Sequence, residues 1–280
     1  MRVDEWALVL GPGGPVGTAW LLGLAAGLRE AGVEPADADL VVGTSAGAIA
    51  GAAIMTGRDL AALAELPPPD EPRPPADLSV MVRAFELGAD PELAPDEVRR
   101  RIGRLALDAG ALPEERHRAG MAFLIGTDEW PAGRLLVTGV DVAAGEPVTW
   151  DGASGVPLSA AVAASSAAPG FAEPVTIGGR RYMDGAFGGG SNAGLAEGAG
   201  TVVLVEPIAP APVPDADGAG AAVRIVPDGR TLEAFGGNVG DMSRWTPAFR
   251  EGRRQAPEAA ERIAAALPAG SGRVSRYRDR

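Results

Sequence analysis

A short apolar strand that runs into Gly-x-Ser-x-Gly and then into a helix of small residues is the feature that most restricts this chain. Residues 40–42 form the strand, and Gly43-Thr44-Ser45-Ala46-Gly47 follows it. The turn is so tight that side chains on either side of the serine would collide, and glycine removes the collision. This motif, a nucleophile elbow, holds Ser45 at a helix N-terminus, where backbone N–H groups stabilise developing negative charge. We predict that Ser45 is a nucleophile.

Because a chain with 40 glycines offers chance matches, the elbow needs support from its surroundings. A strand over residues 5–10 leads through a glycine-rich loop into a helix over about 18–30, and the elbow helix runs to about residue 56. Strands that alternate with helices through short links predict an α/β fold with parallel pairing. A recurrence of glycine at every fourth position predicts that the elbow helix packs closely on the sheet: Gly43, Gly47 and Gly51.

The middle of the chain departs from this alternation. A proline-rich connection over 66–75 precedes a charged, helical stretch, so we predict a helical insertion or lid over about 59–130. The α/β pattern then resumes as two hairpins, two strands and a long helix, over residues 134–150, 175–186, 201–205, 223–226 and 247–267. We predict one domain over residues 1–267 and a flexible, arginine-rich tail over 268–280.

Composition argues against several classes of function. The net charge of −12 argues against nucleic-acid binding and against tight binding to anionic membranes. The absence of cysteine excludes disulfides and cysteine-ligated metal, and a single histidine argues against a histidine-built metal site. The N-terminus lacks a signal-peptide pattern, and the uncharged stretches 40–57 and 152–172 are too rich in Gly, Ser and Pro for membrane spans. We expect a cytoplasmic protein without metal or cofactor and with at most peripheral membrane contact.

A nucleophilic serine needs a base, and the usual histidine is a poor candidate here. His117 lies among the charged residues of 115–118 and precedes the candidate acid in the chain, so we predict a surface position without a catalytic role. Asp184 ends a predicted strand and is followed by Gly185 and Ala186, which allow a sharp turn. An aspartate that faces the serine can accept its proton. Asp184 is the predicted base, although Asp-Gly-Ala is equally compatible with a simple turn.

The glycine-rich loop supplies the third part of such a site. Its position between a strand and a helix presents free N–H groups to an anion. Pro12 and Pro15 have no N–H, so the predicted oxyanion donors are the following residues: Gly13, Gly14, Val16 and Ala46. The main alternative is a dinucleotide-binding loop, but the glycines at 11, 13 and 17 miss the Gly-x-Gly-x-x-Gly spacing by one position.

Taken in order, these segments resemble the patatin-like phospholipase family. The resemblance rests on residues 8–17, on the elbow, on Asp184-Gly185-Ala186, on the Ala-Ser…Pro segment over 163–171 and on Asn192. It covers roughly residues 5–57 and 134–206.

By this resemblance the fold is a three-layer α/β/α sandwich with a mainly parallel sheet, and the activity is lipid acyl hydrolysis without a metal. Ser45 and Asp184 form a catalytic dyad, and the loop with Gly13 and Gly14 is the oxyanion hole. The motif glycines implied to be structural are Gly11, Gly17, Gly43, Gly47 and Gly185.

One position departs from the family pattern, since Val16 stands where the family usually has Arg or Lys. The predicted function is therefore a serine esterase acting on lipid-like acyl esters through an acyl-enzyme. An acyltransferase that uses the same acyl-enzyme, and an inactive lipid-binding or scaffold protein, remain the alternatives.

Overall fold

One mixed sheet organises the fold, and its central strands are parallel. The computed structural model describes residues 5–68, 71–72, 74–208 and 222–267. Within them the strands are β1 (Trp6–Leu10), β2 (Leu40–Gly43), β3 (Leu135–Asp141), β4 (Pro147–Trp150), β5 (Val175–Ile177), β6 (Arg180–Asp184), β7 (Thr201–Val205) and β8 (Val223–Ile225). Hydrogen-bonded neighbours follow the sequence β5-β6-β3-β2-β1-β7-β8, and β4 pairs with β3 along the edge opposite both β2 and β6.

The pairing directions divide the sheet into two parts. β1 pairs in parallel with β2 and β7, β2 with β3, and β7 with β8. β3 pairs antiparallel with β4 and β6, and β5 with β6. Both predicted hairpins are confirmed, as is the mainly parallel sheet.

Helices cover both faces of this sheet. They are α1 (Gly14–Glu30), α2 (Ala46–Met55), α3 (Leu78–Gly88), α4 (Pro95–Asp108), α5 (Glu114–Ile125), α6 (Leu158–Ser165), α7 (Ala186–Gly189), α8 (Gly229–Phe235) and α9 (Trp245–Ala266). α1 begins four residues earlier than the sequence predicts, at Gly14 rather than residue 18. Pro15 explains the difference, because a residue without an N–H fits the first turn of a helix.

The alternation of side chains along β1 shows the two faces. Trp6, Leu8 and Leu10 join a large core under the helices α1, α2 and α9. The residues between them, Ala7 and Val9, join a smaller core with the 3₁₀ turn over 193–196. Alternating strand residues point to opposite faces, so helical elements lie on each side of the sheet. The predicted three-layer α/β/α sandwich is confirmed.

The segment predicted as an insertion contributes to both outer layers. Ala84 of α3 and Ile102 of α4 pack with Val140 and Met183 in a third cluster. α5 instead packs into the large core. Its role as a lid stays a prediction, as does the single-domain organisation, and the predicted tail over 268–280 lies outside the described residues. Across the described ranges, no helix is both long and apolar enough to cross a membrane.

Glycines allow two pairs of elements to approach at backbone distance. In the α1–α9 contact, a Cβ atom on Gly23 would overlap the carbonyl of Phe249, and one on Gly252 would overlap the carbonyl of Trp20. At the start of α2, a Cβ atom on Gly47 would overlap the carbonyl oxygen of Leu10. The close packing predicted for the elbow helix is therefore confirmed.

Gly47→Ala should destabilise the fold, because the added methyl group meets the backbone of β1, which cannot move aside. We expect a loss of about 1–3 kcal/mol in the free energy of unfolding, measured by urea denaturation. Gly51→Ala, one turn later in α2, is the matched control. Its Cβ would lie 3.2 Å from Val41 Cγ1, a side chain that can shift, and alanine favours the helix by about 1 kcal/mol. Equal stability of the two variants would contradict this account.

Candidate active site

The candidate site forms where β2 and β6 approach each other end to end along β3. Gly43, the last residue of β2, pairs with Val137, and Asp184, the last residue of β6, pairs with Gly139. β4 occupies the opposite edge of β3 at these same two positions. β2 and β6 therefore share one edge of β3 and run toward each other, which brings their C-terminal ends together.

Ser45 and Asp184 meet in the gap between these strand ends. Ser45 Oγ donates a hydrogen bond to Asp184 Oδ2 at 2.6 Å. Both side chains are buried, with exposed fractions of 6% and 2%. Ser45 has φ 56° and ψ −116°, a backbone conformation that non-glycine residues rarely adopt. The structure thus brings together the predicted nucleophile and the predicted base, with the strained serine backbone expected of an elbow.

Burial raises the pKa of Asp184 to about 6, from an ordinary value of 3.8. The hydrogen bond from Ser45 and the one from the Ala186 N–H to Asp184 Oδ1, at 2.9 Å, lower this pKa but do not outweigh burial. A carboxylate with a pKa near 6 is ionised at neutral pH and still basic enough to accept a proton.

Ser165 holds the backbone of the elbow, and the sequence interpretation gave it no role. The Ser45 N–H donates to Ser165 Oγ at 3.0 Å, and the Gly185 N–H donates to Ser165 O at 3.1 Å. One buried serine in α6 therefore contacts both strand ends. Its signal in the sequence was its place in the Ala-Ser…Pro segment.

Asn192 joins the same two strand ends from the other side. Its Nδ2 donates to Thr44 Oγ1 at 3.0 Å and to Gly185 O at 3.2 Å. Its φ of 54° lies in the left-handed region, which asparagine tolerates better than most residues. Thr44 Oγ1 also lies 2.9 Å from Thr138 Oγ1 of β3. Asn192 therefore fixes the residue before Ser45 relative to the residue after Asp184.

The glycine-rich loop lies beside the elbow, as the Gly47 N–H donates to Gly11 O at 3.1 Å. Among the described residues, the N–H groups of Gly13, Gly14 and Ala46 donate to no backbone carbonyl. The Val16 N–H does, to Val239 O at 3.2 Å. Three of the four predicted oxyanion donors thus have N–H groups that are free of backbone partners.

The predicted surface position of His117 is wrong, because its side chain is buried and only 7% exposed. Its neighbours in the chain are charged, but His117 repeats with Met121, Leu124 and Ile125 on the buried face of α5. This helical spacing indicates burial of His117, whereas its charged neighbours suggest exposure. His117 Nε2 lies 2.9 Å from the carbonyl oxygen of Ala163, so this nitrogen carries a proton and donates it.

Within the part of the chain that the structure describes, no group of three or more His, Asp or Glu side chains is arranged to hold a metal ion. Two side chains accept hydrogen bonds from Ser45: the Asp184 carboxylate from its hydroxyl and the Ser165 hydroxyl from its backbone N–H.

A comparison with family models matches residues 8–196 to the patatin-like phospholipases. The chain belongs to this family. The match includes Ser45, Asp184, Ser165 and Asn192, and it ends before β7. A comparison with curated proteins finds no significant match.

Two solved structures of the type III effector ExoU are similar to this patatin-like chain at low identity. The first has 18% sequence identity and a TM-score of 0.41, and the alignment covers 92% of this chain and 53% of that one. The second, a heterodimer of ExoU and SpcU from Pseudomonas aeruginosa, has 17% identity and a TM-score of 0.40, with 95% and 52% covered. The patatin-like chain spans about half the length of these structures.

Because the pKa of Asp184 is raised in the folded protein, the free energy of unfolding should depend on pH. In the unfolded chain Asp184 ionises near its ordinary pKa of 3.8, whereas in the folded protein it stays protonated up to about 6. The protonated acid therefore favours folding at low pH, and this contribution is lost as the pH rises toward 6. We expect Asp184→Asn to gain stability relative to wild type between pH 4 and 7, by up to about 3 kcal/mol.

Urea denaturation of both proteins across this pH range measures the difference. Asp77→Asn is a control of opposite sign, because the Ser79 hydrogen bond holds the pKa of the exposed Asp77 below its ordinary value. That carboxylate stabilises the fold at higher pH, and its contribution is lost as the pH falls. A stability difference between Asp184→Asn and wild type that does not change with pH would contradict the raised pKa.

Proposed function

We propose that this protein is a serine acyl hydrolase of lipids or lipid-like esters, with Ser45 as nucleophile and Asp184 as base. The observation that carries the proposal is the 2.6 Å hydrogen bond from Ser45 Oγ to the buried Asp184 carboxylate. Membership of the patatin-like phospholipases supports the substrate class. A buried aspartate with a pKa of about 6 gives the base that the chemistry needs at neutral pH.

In the first half-reaction Ser45 Oγ attacks the carbonyl carbon of the ester while its proton passes to Asp184 Oδ2. The carbonyl oxygen becomes an oxyanion, and the N–H groups of Gly13, Gly14 and Ala46 are the proposed donors to it. Val16 would join them only by giving up its bond to Val239. Collapse of the tetrahedral intermediate releases the alcohol, which takes the proton from Asp184, and leaves the acyl group on Ser45.

In the second half-reaction the oxygen of a water molecule attacks the acyl carbon, and Asp184 accepts a proton from that water. The second tetrahedral intermediate expels Ser45 Oγ, which recovers its proton from Asp184, and the carboxylic acid leaves. One carboxylate thus serves both halves, so a histidine is not required. An acyltransferase would follow the same route with another acceptor in place of water.

The competing functions are separated by product analysis. Release of free acid from a p-nitrophenyl ester distinguishes a hydrolase from an inactive lipid-binding protein. A product that appears only when an alcohol acceptor is added identifies an acyltransferase. A panel of phospholipids and neutral lipids, with products identified by mass spectrometry, would define the substrate. The neutral Val16 makes esters without an anionic headgroup a necessary part of that panel.

Ser45→Ala should abolish covalent labelling by a fluorophosphonate probe, because Ser45 is the serine proposed to have both a base and oxyanion donors beside its hydroxyl. Turnover of a p-nitrophenyl ester should fall by about three orders of magnitude or more, since binding and the oxyanion donors alone remain. The measurement is gel fluorescence of wild type and variant, with circular dichroism to confirm folding. Persistent labelling of the variant would rule out Ser45 as the nucleophile.

Asp184→Asn should lower turnover by about two to four orders of magnitude, because the amide keeps the shape but cannot accept the proton. Wild-type activity should fall about tenfold per pH unit below pH 6, as the carboxylate with its pKa of about 6 becomes protonated. The variant should lose this acid limb. The measurement is a pH–rate profile of each protein.

His117→Gln is the matched control for this profile. It changes the chain's single histidine but keeps a donor for the Ala163 carbonyl, so turnover should stay within about threefold of wild type. A folded His117→Gln protein that lost activity a hundredfold would restore a histidine base and overturn the dyad.

A further inference from the structure

We propose that Glu206 is a positioning residue for the Ser45–Asp184 dyad and that it acts through Ser191. This inference rests on the proposed function, because it assigns a second carboxylate to the same site. Glu206 is the first residue after β7, and only 2% of it is exposed. It lies outside the residues 8–196 that match the family.

Glu206 makes two charge-assisted contacts with opposite ends of its carboxylate. Its Oε1 accepts a hydrogen bond from Ser191 Oγ at 2.6 Å. Its Oε2 accepts one from Arg224 Nε at 2.7 Å, and the Arg224 side chain is 45% exposed. Arg224 therefore balances the charge of the carboxylate from the solvent side, while the Ser191 hydroxyl donates to its other oxygen. Hydrogen bonds to an ionised acceptor are stronger than neutral ones.

Ser191 lies in the loop after α7, which contacts a neighbour of Ser45 and a neighbour of Asp184. Thr44 Oγ1 donates to Ser191 O at 3.4 Å, and the next residue, Asn192, donates to both Thr44 Oγ1 and Gly185 O. Thr44 precedes Ser45, and Gly185 follows Asp184. A bond that fixes Ser191 therefore also fixes the left-handed Asn192 and, through it, the separation of the nucleophile from the base.

The same hydroxyl lies against the glycine-rich loop. A Cβ atom on Gly11 would be 2.7 Å from Ser191 Oγ and 3.4 Å from Glu206 Cγ. Gly11 O accepts the N–H of Gly47 at 3.1 Å, and the Gly11 N–H donates to Val205 O at 2.9 Å. The Glu206–Ser191 pair thus contacts the residue from which the proposed oxyanion loop begins.

Stability alone does not account for a carboxylate at this position. Burying a charge is costly, and buried ion pairs can often be replaced by apolar residues without loss of stability. What an apolar residue cannot do is hold a hydroxyl at one fixed distance and direction. The Glu206 side chain is therefore assigned to the geometry of the site.

Asp141 is a matched control in the same sheet. It ends β3, is also 2% exposed, and pairs with a partly exposed arginine, Arg180, at 2.7 Å. Its Oδ1 accepts the N–H groups of Ala143 and Ala144 in the turn between β3 and β4. Asp141 thus has the burial and charge of Glu206 but supports a turn outside the site.

The test compares Ser191→Ala, Glu206→Gln, the double variant and Asp141→Asn with wild type. The readouts are kcat and KM for p-nitrophenyl butyrate and the rate of fluorophosphonate labelling of Ser45. We expect kcat and the labelling rate to fall about 10- to 100-fold in both single variants, as small misplacements of reacting groups do, with KM within about twofold. Asp141→Asn should keep kcat within about twofold.

The double variant tests the proposed route from Glu206 to the dyad. If Glu206 acts through Ser191, the double variant loses no more activity than the less active of the two single variants. Two losses that multiply would overturn that route. Equal kcat in Glu206→Gln and Asp141→Asn, with melting temperatures lowered equally, would overturn the positioning role itself.

Hydrogen–deuterium exchange separates this inference from the proposed function. Peptides that cover residues 41–48 and 184–192 should exchange faster in Ser191→Ala and Glu206→Gln than in Asp141→Asn. Faster exchange in these peptides would support the positioning role whether or not the protein is active. A wild type that neither labels nor turns over esters would refute the hydrolase function but not the positioning role. Unchanged exchange in both peptides would overturn the role of Glu206 whatever the activity.

Discussion

The site depends on one arrangement of backbone hydrogen bonds: two strands that run in opposite directions along one edge of β3. A sheet made only of parallel strands would place all their C-terminal ends in a row, one strand spacing apart. Here β2 and β6 end against positions of β3 only two residues apart, Val137 and Gly139. The elbow after Gly43 then needs only one further turn to place Ser45 against Asp184. The mixed direction of the sheet is therefore a requirement of the hydrogen bond between Ser45 and Asp184.

The buried aspartate that results makes the site less stable than it would be with a neutral group. Water is replaced around Asp184 by a serine hydroxyl and a backbone N–H, and these two donors only partly offset the loss of hydration. The same loss of hydration keeps the carboxylate basic. Burial thus lowers stability and raises proton affinity at the same side chain.

Much of the fold and the centre of the site could be predicted from local patterns. Two motifs that follow predicted strands, Gly-x-Ser-x-Gly and Asp-Gly-Ala, each predict a tight turn. The geometry of such a turn depends on residues close in the chain. His117 shows where such reasoning fails, because its charged neighbours suggested exposure although the helical repeat to Met121 and Leu124 indicated burial.

The supporting contacts could not be predicted in this way. Ser165 lies 120 residues from Ser45 in the chain, and its role depends on how α6 packs beside the elbow. Val239 and Glu206 likewise reach the glycine-rich loop only through tertiary structure. A hydroxyl or a carbonyl carries no sequence signal of which distant N–H it will meet, so such partners become visible only in the folded protein.

The contact between α1 and α9 limits where this chain can be divided. α1 carries the glycine-rich loop at its N-terminus, and the Trp20 side chain within it is fully buried and donates to Gln255 of α9 at 2.8 Å. A fragment that stopped where the family match stops, at residue 196, would lack both α9 and β7, the parallel neighbour of β1. It would contain both Ser45 and Asp184 and yet expose the core that holds them. The residues that bury this core therefore extend beyond the residues that match the family.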